Sequence, residues 1–176
     1  MMAQGQFDGD PPRTPDEAEF LGGIAHGVSA WSLPDVQLGS FKVFAGIKPI
    51  VVTLDVPGID VPPGKCTLQI GYWLDGPYGR ALEGEWGDDH ILDSHVYDGE
   101  GLTVFGLDEA PETYGTFAAD WRRRQLGRPV KRLDWLRGEQ IRESAWRLAD
   151  SGKTIARMGW SVRRPGKAPS RIQIVR

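Results

Sequence analysis

The chain has one cysteine, Cys66, in 176 residues. An intrachain disulfide is therefore excluded, which fits a reducing compartment. No run approaches the roughly 18 apolar residues of a membrane-spanning helix. The first ten residues have neither a basic start nor an apolar stretch, so no secretory signal is expected and the cytoplasm is the expected location. Histidine is scarce, at three residues. Internal repeats and low-complexity segments are lacking. So are the common catalytic signatures. Gly152-Lys153-Thr154 resembles the end of a phosphate-binding loop, but Arg147 stands where its first glycine belongs, and the glycine-rich backbone is what cradles phosphates. Ser29 and Ser94 do not lie in a Gly-x-Ser-x-Gly elbow.

Basic residues are missing from most of the chain. Residues 1–120 hold 20 of the 24 carboxylates but 5 of the 21 lysines and arginines, a formal −15. Residues 121–176 hold 16 basic and 4 acidic residues, a formal +12. The net charge of −3 thus conceals two opposed fields, an asymmetry that points to a charged partner or to internal neutralisation.

Residues 1–13, rich in Gly, Pro, Gln and Asp, have little to bury and read as a flexible tail ahead of one globular domain over 14–176. Thr14-Pro15-Asp16-Glu17 reads as a helix start with a capping box, and Gly22-Gly23 as its end after two turns. From 41 to 107 the pattern is strand. Ile50, Val52, Leu54 and Val56 alternate, then Cys66, Leu68, Ile70 and Tyr72, with Pro57-Gly58, Pro62-Pro63-Gly64 and Asp75-Gly76 as punctuation. Asp98-Gly99 suits a tight hairpin turn. In that register Leu92, Val96, Thr103, Phe105 and Leu107 form the more apolar face, turning Asp93, His95, Leu102 and Val104 to the other.

A helix is predicted from Thr113 or Thr116 to Leu126, stopped by Gly127 and Pro129. Strand returns at Val130–Leu136. A hairpin follows around Ser151-Gly152, pairing Leu148 with Ile155, Trp146 with Arg157 and Asp150 with Lys153. A Pro/Gly-rich loop, 163–170, leads to a closing strand at 171–176. The expectation is a β-rich α+β fold: an antiparallel sheet or sandwich of about seven to nine strands, one main helix near 113–126 and a short N-terminal helix.

Glu83–Glu112 carries ten carboxylates and no lysine or arginine. Its core, Glu83, Glu85, Trp86, Asp88 and Asp89, reads as an acidic loop that binds a basic protein, or whose indole stacks on a cation or sugar. The alternative is a solvated loop neutralised by the protein's own basic segment. Trp31 and Trp86 are the tryptophans expected to be exposed. Cys66 lies in the apolar register of its strand and reads as buried.

Asp89, Asp93 and His95 are the weak metal candidates. His90 and His95 point opposite ways on a strand and diverge by about 140° on a helix, so no metal or other cofactor is expected. Asp93 and His95 could also form a general-base pair in a small enzyme, but no nucleophile or oxyanion site accompanies them. In the basic segment, Arg122, Arg123, Arg124, Lys131 and Arg132 interleave with Trp121 and Trp135. They could neutralise phosphates while an aromatic stacks on a base. No common nucleic-acid-binding module is readable. The expected function is a non-enzymatic protein-binding module: an immunity-type inhibitor covering a basic partner, or an assembly component that self-associates acidic face to basic face. Nucleic-acid binding and a small Asp/His enzyme are the alternatives.

Overall fold

The computed structural model describes residues 7–46, 48–62, 64–76, 79–87, 100–106, 108–159 and 167–176. The strands are β1 (Asp8–Gly9), β2 (Phe41–Phe44), β3 (Ile50–Val61), β4 (Gly64–Gly76), β5 (Gly79–Gly87), β6 (Leu102–Phe105), β7 (Val130–Arg137), β8 (Gln140–Leu148), β9 (Thr154–Gly159) and β10 (Arg171–Ile174). The helices are α1 (Pro15–Ser29) and α2 (Pro111–Leu126). The fold is β-rich α+β, as the sequence pattern implies. One sheet runs β1-β2-β3-β4-β5-β6 and the other β10-β7-β8-β9; every pairing is antiparallel except β1 with β2. Among the described residues no helix is long and apolar enough to cross a membrane.

Alternation builds the larger sheet. Ile50 faces Tyr72, Val52 faces Ile70 and Leu54 faces Leu68 across β3 and β4, and all six are buried. The helices cover this face. Phe20 of α1 stacks on Tyr72 with ring centroids 4.4 Å apart, and the Trp86 indole on β5 donates to Gln125 Oε1 of α2 at 3.0 Å. Arg80 ties the helix starts together, reaching Asp16 Oδ2 at 2.8 Å and the Glu109 carbonyl at 3.1 Å. Trp146, Leu148 and Ile155 of the smaller sheet join the same hydrophobic cluster.

Several expectations need correction. Helix α1 runs through Gly22-Gly23 to Ser29. The reason lies on its neighbour. A Cβ on Gly23 would stand 2.1 Å from the Glu112 carbonyl oxygen, and one on Gly115 of α2 would stand 2.1 Å from that of Phe20. These glycines let two helices approach backbone to backbone; they do not end one. Thr14 caps as expected, its Oγ1 accepting from the Glu17 N–H at 3.1 Å, but the Glu17 carboxylate reaches the Arg13 N–H and guanidinium. Helix α2 begins at Pro111, slightly before Thr113.

Residues Phe7–Arg13 are not loose. Asp8–Gly9 pairs with β2, Phe7 packs edge-on to Phe41, and Asp10 Oδ2 accepts from the Ala45 and Gly46 N–H groups. Pro57-Gly58 interrupts β3 as a bulge between Asp55 and Asp60, with Gly58 at φ 79°, rather than ending it. In β6, Leu102 and Val104 pair with Gly84 and Leu82 on the helix side, and Phe105 turns outward. The facing read from the Asp98-Gly99 turn is therefore reversed in its described half, while the turn itself lies outside the described residues. The β8–β9 register is shifted as well: Trp146 opposes Ala156, Ala145 opposes Arg157, and Leu148 donates its N–H to Lys153. A five-residue connection, 149–153, replaces the two-residue turn.

Candidate interaction surface

Strand β5 carries the first acidic candidates, and the segment read as an acidic loop is strand through Gly87. Leu82, Gly84 and Trp86 point toward the helices. Trp86 is 7% exposed, so it is no surface platform. Alternation turns Ala81, Glu83 and Glu85 to the face opposite α1 and α2, where both glutamates are half-buried. Gly71 opposes Glu83 and Gln69 opposes Glu85 on β4; Thr103 and Phe105 of β6 oppose Glu83 and Ala81. The Trp73 indole, on the same face, donates to Glu83 Oε2 at 3.4 Å.

The centre of this face is polar and buried. Gln69 donates to Thr67 Oγ1 at 3.1 Å and folds over Gly87, where a Cβ would stand 2.2 Å from Gln69 Nε2. Its margin is different. Phe105 lies on the edge strand with 57% of its surface exposed, diagonal to Glu83. Two carboxylates, an indole and an exposed ring thus share one margin of the sheet. Asp88, Asp89, His90, Asp93 and His95 lie outside the described residues. Among the described residues no group of three metal-ligating side chains gathers.

The basic candidates do not form one patch. Arg122 is fully buried: it donates to the Val52 carbonyl, lies 5.3 Å from the Phe41 ring centroid, and leaves Nε and Nη1 without hydrogen-bond partners. Burial pushes its pKa down to about 9. Arg123 and Arg124 are exposed in the last turn of α2, where positive charge suits the helix dipole. Lys131 and Arg132 are neighbours on β7 and so face opposite ways. Arg132 lies 5.1 Å from the Trp146 ring centroid and pairs with Asp134 at 2.8 Å.

Two residues that organise the basic segment carry no sequence motif. Asp134 is fully buried and accepts from Ser144 at 2.6 Å, Arg132 at 2.8 Å and Arg171 at 2.6 and 2.9 Å. Burial alone would raise its carboxyl, but these three donors outweigh that and hold it below the usual range. Arg128 meets Asp150 through two bonds of 2.8 Å, Glu100 at 2.5 Å and Gln125 Oε1 at 3.1 Å. The one available signal was Asp134 standing alone among seven basic residues between Arg122 and Arg137.

Comparison with protein-family models, characterised proteins and solved structures finds no match to this chain, so the geometry alone carries the functional reading.

Proposed function

We propose that the chain is a non-enzymatic protein-binding module whose recognition surface is the β5–β6 margin of the larger sheet, where Glu83, Glu85 and Phe105 take a basic partner. The observation that carries this reading is the Phe105 ring, 57% exposed and diagonal to Glu83 of the neighbouring strand. An aromatic anchor with a charged rim is the usual economy of a protein interface: the ring supplies contact area, and the charges supply steering and register. The expected acidic loop is here narrowed to one strand face.

The basic segment supports the reading by what it already holds. Arg122 serves the core, Arg128 and Arg132 hold carboxylates, Arg171 holds Asp134, and Arg176 caps the Leu126 and Pro57 carbonyls. Phosphate binding would have to rely on the exposed remainder, such as Arg123 and Arg124. We place the module in the cytoplasm, which suits a chain with a single, buried cysteine.

The test is sedimentation of the wild type and of Glu83→Lys/Glu85→Lys with an arginine-rich peptide. The complex should form at low salt, weaken as salt rises, and vanish in the double variant. Equal binding by the two proteins would reject this surface.

A further inference from the structure

Strand β10 is one edge of the smaller sheet, and among the described residues β7 is its sole neighbour. All of its residues are exposed. Ile172 and Ile174 keep 59% and 67% of their surface in solvent, more than any other large apolar side chain among the described residues. They extend a buried apolar row: Ile172 lies opposite Leu133, which packs with Trp135 and Ala145. The row stops at the open edge.

The main chain is open there too. The Val175 N–H donates inward to the Val130 carbonyl at 2.9 Å. Inward and outward groups alternate along an antiparallel strand, so the N–H and C=O groups of Ile172 and Ile174 point away from β7. Such an edge is a template for another strand.

Charge selects which strand. β7 and β10 carry Lys131, Arg132, Arg137 and Arg171, and their one carboxylate, Asp134, is buried and shared by two of the guanidiniums. Lys131 lies opposite Ile174, and Arg176 follows β10 directly after Val175. Two copies of this edge would set like charges side by side, whereas an acidic strand would neutralise them.

We propose that the open edge of β10 takes an extended acidic segment of a partner protein, added as a further strand of the smaller sheet. Main-chain bonds to Ile172 and Ile174 hold it. One row of its side chains, branched and apolar, lies beside the two isoleucines, and the alternate row carries carboxylates toward Arg171. The strand is short, so the contact belongs to the weak, transient class of protein interfaces. This edge lies on the other sheet from the β5–β6 margin and takes the opposite charge, and neither proposal depends on the other.

The probe is a short capped peptide alternating glutamate and valine, titrated against the full chain while amide shifts and hydrogen exchange are followed by NMR. Shifts should saturate on β10 and β7, and exchange at the Ile172 and Ile174 amides should slow in the complex. Ile172→Pro deletes one outward N–H and leaves the ladder to β7 intact, so binding should weaken at least about five-fold, one hydrogen bond's worth. Ile172→Thr/Ile174→Thr keeps strand propensity but loses the apolar row; it should weaken binding as well, and it carries the test if Ile172→Pro does not fold. A peptide alternating lysine and valine should leave β10 unshifted. Saturable shifts without slowed exchange at Ile172 and Ile174 would overturn the proposal. So would binding indifferent to the threonine variant, equal binding of the lysine peptide at β10, or no saturable shift at all. Shifts on β10 that follow protein concentration without peptide would assign the edge to a second copy and overturn it too.

Discussion

The Arg128 guanidinium and the Glu100 carboxylate meet at 2.5 Å, joining the basic segment to the acidic stretch inside one molecule. Glu100 belongs to the run without a lysine or arginine; Arg128 follows α2 directly. Asp150, from the β8–β9 connection, is held by the same guanidinium. Arg128 therefore fastens the C-terminal end of α2 to both sheets' connections. Its pKa is raised by Asp150 first, while its own burial opposes that shift and Glu100 reinforces it.

Arg128→Lys should not be a conservative change, because an ammonium cannot hold Asp150 through two parallel bonds while reaching Glu100. A loss of about 1–2 kcal/mol is expected in chemical denaturation, reduced at high salt because the pair is partly solvated. Wild-type stability in Arg128→Lys would show that the cluster is only a surface feature.

Two helix glycines, Gly22 of α1 and Gly115 of α2, predict opposite outcomes from one chemical change. Nothing lies within 4 Å of a Cβ built on Gly22, so Gly22→Ala should stabilise the protein by about 0.5–1 kcal/mol through helix propensity. Gly115→Ala would drive its methyl into the Phe20 carbonyl and part the helices, costing about 2–3 kcal/mol. Thermal melts of the two variants should move in opposite directions. Similar shifts would contradict the backbone-to-backbone contact of α1 and α2.

Arg122 is a charge in the core that pairs with no carboxylate among the described residues. Arg122→Met keeps the length, packs against Phe41 and removes the two orphaned nitrogens. Its expected effect is a gain of about 1 kcal/mol, since buried ionic groups are often replaced by apolar ones at no cost or with benefit. A large destabilisation measured by denaturant titration would mean the guanidinium holds the sheet through its bond to Val52.

Asp134 gives the fold a pH dependence. Its carboxyl is depressed in the folded protein, so the unfolded chain binds its proton first as pH falls. The stability it contributes is complete above the unfolded value of about 3.9 and is lost as pH drops through the folded one. Arg132 and Arg171 are partly exposed, which places Asp134→Asn near 2–3 kcal/mol of destabilisation at neutral pH, roughly below the range for fully buried pairs. The difference between wild type and Asp134→Asn should shrink below about pH 4. A difference that does not change with pH would remove the carboxylate's charge from the account.

How much of this was legible in the sequence depended on whether the signal was local. The alternation of Ile50, Val52 and Leu54 against Leu68, Ile70 and Tyr72 is periodic, and it placed the core strands correctly. Cys66 was buried as its register required. Gly22 and Gly23 misled because a helix-ending glycine and a helix-packing glycine look alike until the second helix is present. Trp86 and Phe105 were exchanged in their exposure because β5 and β6 were read without the helices that choose which face to bury. Arg122 sits in a run of three arginines, and only the helix's rotation sends it inward while Arg123 and Arg124 stay in solvent. The clustering of Arg132, Ser144 and Arg171 around Asp134 arises from strand register across 37 residues, which no local pattern encodes.

The most direct measurement is amide-shift mapping by NMR with a peptide that alternates arginine and leucine, at low salt and again at about 0.5 M salt. The account predicts shifts confined to β5 and β6, around Glu83, Glu85, Thr103 and Phe105, which fade at the higher salt and are absent in Glu83→Lys/Glu85→Lys. Shifts centred on Arg123 and Arg124 with an acidic peptide or an oligonucleotide, and none on β5 and β6 with the basic one, would contradict it.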